Sequence, residues 1–191
     1  MKKIRMGMTL FAITLLMTVA SSCKKDNSNV GCGSGLLCST VDGVSYTGAP
    51  YNSSTSFFGL ITTLNGCYAE LIPSNTSTGG YYLKVHGNNG TANTNATWQI
   101  DFTVTQLPVA GSTYTTQAGS ASFDYWAGSG SNKNEYVTDA THTGTVTISS
   151  VDTINNYISG TFSYTAYETG NYTPVEHTIN SGNFPQLMIK R

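Results

Sequence analysis

The segment "TWQIDFTVTQ", residues 97–106, alternates without interruption. Trp98, Ile100, Phe102 and Val104 fall on one parity, and Gln99, Asp101, Thr103 and Thr105 on the other. Side chains along an extended strand point to opposite faces in turn, so this pattern fits a half-buried strand and not an amphipathic helix. The habit recurs along the chain. Leu83 and Val85, with Tyr81, alternate with Tyr82, Lys84 and His86; Ala121, Phe123 and Tyr125 alternate with Ser122, Asp124 and Trp126. Val146 and Ile148 alternate with threonines, and Ile158, Phe162, Tyr164 and Ala166 with Ser159, Thr161, Ser163 and Thr165. One apolar face and one wet face is the signature of an antiparallel sheet solvated on one side. On that reading His86 is a solvated residue, and Tyr82 and Trp126 point away from the core.

Turn chemistry separates these runs. Asp42-Gly43 lies between two β-rich stretches in "LLCSTVDGVSYTG" (36–48), and Asn65-Gly66 between "TSFFGLITTL" and "CYAELIP"; both dipeptides favour tight hairpin turns. The stretch "HTINSGNFPQLMIK" reads as one or two closing strands. Twelve tyrosines, twenty glycines and abundant Thr, Ser and Asn suit strands joined by polar turns. About ten strands are expected over residues 36–191. They predict an all-β domain, an antiparallel β-sandwich with a β-barrel as the alternative. "GNNGTANTNA" (87–96) and "GSGSNKN" (128–134) read as loops.

The first residues follow a different logic. Lys2, Lys3 and Arg5 precede an apolar run from Met6 to Ala20, then the small residues Ala20-Ser21-Ser22 and a single cysteine, Cys23. The run is shorter than the ~20 apolar residues a membrane span needs, and its order is that of a signal peptide. A cysteine directly after the small residues is the acceptor position of a lipoprotein lipobox, so residues 1–22 are expected to be removed and Cys23 to carry lipid. One acyl chain alone binds a membrane only marginally, whereas two or three on Cys23 would anchor the chain durably. Residues 23–35, polar and without hydrophobic period, read as a flexible tether. Removing Lys2, Lys3 and Arg5 from the nine basic residues leaves six against ten acidic ones. That balance lacks the clustered Lys and Arg of a nucleic-acid-binding surface, so no nucleic-acid partner is expected.

Cys32, Cys38 and Cys67 remain. An exported chain meets an oxidising compartment, which permits a disulfide between Cys32 and Cys38 or between Cys38 and Cys67, and spacing does not choose between them. Cys67 shares its parity with Ala69 and Leu71 and reads as a buried small hydrophobe.

"SSCKKD", together with "STVDGVSYT", "GSTYTT", "TGTVTISSVD", "ISGTFSYTA" and "HTINSGNF", resembles an uncharacterised family of small Bacteroidota lipoproteins, over most of residues 36–185. In that resemblance Tyr46, the aromatic after the first turn, fills the core. Asn180-Ser181-Gly182 stands where the family usually runs Asn-Gly directly. These motifs make strands and turns and carry no chemistry. The resemblance implies an all-β fold and a lipid-anchored place in the bacterial envelope, the outer membrane being the expected one, with the leaflet face open.

Constellations for chemistry are sparse. His86, His142 and His177 lack metal-ligand spacing, and no Gly-x-Ser-x-Gly elbow or phosphate-cradling loop occurs. No metal or cofactor is expected. Scattered carboxylates leave a glycosidase-type pair open, such as Glu70 with Asp101 or Asp124, since partners meet in space. Asp152 with Asn155 and Asn156 flanks a turn, where such residues bond their own backbone. Asp152-Thr153-Ile154 resembles the acceptor for O-glycosylation of exported Bacteroidota proteins, which marks Thr153. The outward Trp126 and Tyr82 could stack a sugar ring or press on a protein. The expected function is thus a non-catalytic binding or accessory module for a glycan or an envelope protein; a hydrolase acting on an envelope or environmental polymer is the alternative. The anchor is directly testable: wild-type protein should carry diacylglycerol on Cys23 by mass spectrometry, and Cys23→Ala should move it from the membrane to the soluble fraction.

Overall fold

The computed structural model describes residues 32–55, 61–73, 81–90, 97–129, 132–168 and 175–190. Residues 1–31, which hold the expected signal peptide, Cys23 and most of the expected tether, lie outside the described residues, as does the greater part of the 87–96 stretch. Every described element is a strand. They are β1 (Cys38–Val41), β2 (Val44–Thr47), β3 (Asn52–Thr55), β4 (Ile61–Asn65), β5 (Tyr68–Pro73), β6 (Tyr81–Asn88) and β7 (Trp98–Val104). After these come β8 (Thr113–Thr115), β9 (Ala121–Ser129), β10 (Asn132–Val137), β11 (Gly144–Asp152), β12 (Tyr157–Glu168) and β13 (Glu176–Lys190). The all-β expectation holds.

Eleven strands form one hydrogen-bonded sheet, and β3 pairs with β4 in a separate ribbon. The large sheet folds into two layers. One runs β2-β1-β13-β12-β11-β8 and the other β5-β6-β7-β9-β10. They join at opposite ends of the β12–β13 ladder. At one end β13 pairs in parallel with β5 through Ile189↔Ala69 and Lys190↔Glu70; at the other, β10 pairs with β12 through Tyr136↔Glu168 and Val137↔Tyr167. The layers are therefore a sandwich whose corners are sewn, and the sandwich and barrel alternatives describe one object.

The expected core is the observed one. Trp98, Ile100, Phe102, Phe162 and Tyr164 are buried, and rings meet across the layers: Phe102 lies 5.3 Å from Phe162 and 5.6 Å from Phe184, and Phe123 stacks on Tyr164 at 4.9 Å. Tyr46 packs edge-on against Trp98 at 5.7 Å, as the aromatic after the first turn was expected to do. That turn has Asp42 and Gly43 both at positive φ (50° and 82°), the geometry that selects an Asp-Gly pair.

Strand number and extent differ from the sequence reading. Thirteen strands are described against about ten expected; the closing stretch, read as one or two strands, is one of 15 residues, β13, which bends at register shifts against β12 instead of breaking. Of the stretch 128–134, residues 128–129 and 132–134 are strand, the ends of β9 and β10 paired as Ser129↔Asn132 and Gly128↔Lys133; residues 130 and 131 lie outside the described residues. Gly87 and Asn88 belong to β6. Polar composition suggested loops at both places, but ladder pairing satisfies the backbone whatever the side chains are.

The three cysteines resolve into a Cys32–Cys38 disulfide and a buried Cys67 thiol. Burial pushes the Cys67 thiol up to about 11, as fits a packing residue. Cys32 to Gly35, read as tether, are fastened to the domain: beyond the disulfide, the Gly35 N–H donates to Gln186 O at 3.0 Å and Ser34 bonds the Gln186 side chain. Phe162 bears on Phe102, Phe184 and Tyr164. Phe162→Ala should cost ~3–5 kcal/mol, read as a lowered unfolding midpoint in denaturant; a near-neutral midpoint would contradict this packing.

Candidate functional site

The outward parity of β5, β6, β7, β9 and β10 builds a polar grid on the face opposite the core. Cross-strand register sets its rows. Glu70, Lys84, Thr103 and Ser122 lie directly opposite one another in sequence across β5, β6, β7 and β9. The next row is Tyr68, His86, Asp101, Asp124 and Val137, and the third is Asn88, Gln99, Trp126 and Glu135. Tyr82 stands one step beyond the first row, opposite Ile72.

The middle of this face is not wet, which corrects the reading of His86. His86 is 7% exposed, Asp101 9% and Asn88 0%. The Tyr68 ring, itself edge-on to Tyr51, lies 5.0 Å from the imidazole. Burial of such groups demands partners, and they have them. The Gly90 N–H donates to Asn88 Oδ1 at 3.0 Å, which fixes the amide orientation and presents Asn88 Nδ2 to His86 Nε2 at 2.9 Å. Nε2 must therefore accept, so the imidazole proton sits on Nδ1 and is donated to Asp101 Oδ1 at 2.5 Å. Gln99 Nε2 donates to Asp101 Oδ2 at 2.8 Å. Both carboxylate oxygens of Asp101 are thus engaged.

Asp124, directly opposite Asp101, is placed differently. Burial pushes its carboxyl up to about 6; the charges of Asp101 and Glu135 add to this, and Lys84 opposes it. Of the carboxylates singled out from sequence, register brings Asp101 and Asp124 together. Glu70 is instead bonded to Lys190 at 3.1 Å across the β13–β5 corner.

Trp126 and Tyr82 are both on this outward face and half-buried. They lie at opposite ends of the grid, two strands and three rows apart, a separation of roughly 20 Å by strand geometry. Thr153 is exposed in the β11–β12 turn. There Asp152 accepts from the Ile154 and Asn155 N–H groups at 3.0 and 2.9 Å and from Asn155 Nδ2 at 2.7 Å, the turn chemistry expected of it. His177 and His142 are also spoken for: His177 Nδ1 meets Asp42 Oδ2 at 2.5 Å, and His142 lies 2.9 Å from Asp139 and stacks on Tyr167. Among the described residues, no three His, Cys, Asp or Glu side chains gather as a metal would require.

The His86–Asp101 bond and its two amide supports were missed from sequence. Their shared outward parity was visible, but the register that sets His86 opposite Asp101 was not. Compared with family models, curated proteins and solved structures, the chain finds no match in any of the three.

The displaced Asp124 carboxyl gives a pH prediction. Its folded value, about 6, lies above the ordinary 3.8, so the folded state holds the proton more tightly. Asp124 therefore opposes folding above pH 6, and that cost disappears as pH falls below about 4. Asp124→Asn should melt higher than wild type at pH 7.5, and the gap should close by pH 4 in paired thermal scans.

Proposed function

We propose that the protein is a lipid-anchored module of the bacterial envelope, held at the outer membrane through Cys23, that binds a glycan on the outward face of β5–β6–β7–β9–β10 without catalysing its cleavage. The observation that carries this reading is the pairing of half-buried aromatic rings, Trp126 and Tyr82, with a supported polar grid on a face that the core does not use. Aromatic rings offer flat apolar surface to the C–H face of a sugar, and carboxylates, amides and hydroxyls around them accept or donate to its hydroxyls. A rigid sheet supplies such groups with little ordering cost on binding. An envelope protein pressing on Trp126 would use the same ring but would have less use for the polar rows.

The hydrolase alternative draws on one observation, the opposed Asp101 and Asp124 with one carboxyl raised to about 6. Divided protonation between neighbouring carboxylates is what an acid–base pair needs. Against it, Asp101 is buried with both oxygens bonded, which leaves it little reach toward a substrate.

A glycan array probed with full-length protein in detergent, followed by calorimetry and a reducing-end assay on any hit, separates these readings. Binding without release of reducing ends is expected. Trp126→Ala should weaken it by about 1–3 kcal/mol while leaving the melting temperature nearly unchanged. Collapse of the fold in that variant would make Trp126 structural, and turnover lost in Asp124→Asn would favour the hydrolase.

A further inference from the structure

The polar grid does not end at Ser122. A recess of about 440 Å³ opens there, floored by β9 at Ser122 and walled by Thr116 and Gln117 from the turn before β9 and by Thr138 and Asp139 from the segment after β10. Its volume falls in the range of small-molecule sites, roughly 300–1,000 Å³. Ser122 is outward on β9, with the same parity as Asp124 and Trp126, so face and recess are continuous. Four residue steps along the strand separate Ser122 from Trp126, about 13 Å.

The walls are fixed by bonds that the fold makes for itself. Thr116 Oγ1 accepts the Gly144 N–H at 2.9 Å, and Thr138 Oγ1 accepts the Phe123 N–H at 3.2 Å and donates to Phe123 O at 3.3 Å. Asp139 Oδ1 accepts the N–H groups of Thr141 at 2.7 Å and His142 at 2.6 Å. These bonds hold the Asp139 carboxyl well below the usual carboxylate range, so it stays an ionised acceptor. Gln117 and Ser122 are exposed and take no part in that framework.

Beside Ala121 and Ala140, which add apolar surface, the lining offers hydroxyls, an amide and a carboxylate, with no Lys, Arg, His or aromatic ring among its described residues. Such a set matches a ligand dense in hydroxyls. It does not match a phosphate, sulfate or uronate, which would meet the Asp139 charge; the one basic side chain beside Asp139 among the described residues, His142, is bonded to Asp139 Oδ1 at 2.9 Å and is not part of the lining. Walls on two sides, where the outward face of β9 runs out, suit the end of a chain better than its middle.

We propose that this recess is a subsite for the terminal residue of a neutral, polyhydroxylated glycan laid along β9 from Trp126. The proposal rests on the glycan-binding reading of the face and adds where the chain ends and which charge class it belongs to.

The test uses full-length protein in detergent with neutral linear hexaoses (cellohexaose, xylohexaose, mannohexaose, maltohexaose), with α-cyclodextrin as the endless counterpart of maltohexaose, and with hexagalacturonate as the anionic probe. At least one neutral linear hexaose should bind, hexagalacturonate should not, and any maltohexaose binding should be lost with α-cyclodextrin. Ser122→Tyr, which fills the recess with a residue that strands accept, should weaken binding about tenfold or more. Gln117→Ala, on the exposed turn, should weaken it about threefold or more with the melting temperature unchanged, which guards against a folding defect in the first variant. Binding that depends on Trp126 but is untouched by both variants would overturn the subsite and leave the face intact. Preference for hexagalacturonate, or equal binding of α-cyclodextrin and maltohexaose, would overturn the charge class or the end recognition. Failure of every hexaose to bind would overturn both the subsite and the glycan reading.

Discussion

Phe162 lies opposite Gly182 and Phe184 opposite Gly160 in the ladder between β12 and β13. A Cβ at Gly182 would come 2.6 Å from the Phe162 ring, and one at Gly160 would come 2.4 Å from the Phe184 ring. Each ring therefore covers backbone that a side chain would otherwise occupy. The exchange brings two bulky rings into the centre of the core without forcing the strands apart. Register shifts at both places let the ladder bend. Only a bent β12–β13 pair can serve one layer along its length and hand its two ends to the other. Without those hand-overs at β5 and β10, the five-stranded layer would lose its ladder pairing to the six-stranded one.

That closure bears on the outward face. A strand in the middle of a layer has both neighbours fixed, so its outward residues come into rows that do not slip. On β6, β7 and β9 this fixes His86, Asp101 and Asp124 in line, with the Tyr68 ring against the imidazole. His86 and Gln99 use both oxygens of Asp101, while burial first, and the Asp101 and Glu135 charges after it, raise the affinity of Asp124 for a proton. The polar row is thus stiffened by hydrogen bonds that reach Gln99, which with Glu135 flanks Trp126 in the third row.

Much of this was legible in the sequence and some could not be. Period-two alternation named the core residues on β7, β9, β11 and β12, because on each strand one parity carries most of the apolar side chains. Asp42-Gly43 named its turn because few other pairs tolerate two positive φ values. The solvated reading of His86 failed for a physical reason: alternation reports which face a residue takes, not what lies over that face. Likewise the polar stretch 128–134 could not announce itself as strand, since a hairpin end at the margin of a layer buries little. The Cys32–Cys38 bond and the opposition of Asp101 to Asp124 depend on register and proximity, which a single sequence does not encode locally. The recess at Ser122 is still further from view, being made by three segments that approach one another only in the folded chain.

The division of labour on β9 follows from these constraints. Its inward residues, Ala121, Phe123 and Tyr125, are buried, and Phe123 and Tyr125 carry ring contacts across the core. Its outward residues, Ser122, Asp124 and Trp126, are free to vary in chemistry so long as the strand stays extended. One strand thereby holds the layers together with one parity and offers a graded surface with the other: a hydroxyl at the recess, a partly desolvated carboxyl at the centre and an aromatic ring at the far end. Because the inward parity secures the position of the outward one, substitution at Ser122, Asp124 or Trp126 should change the chemistry and proton affinity of the outward face before it disturbs the core.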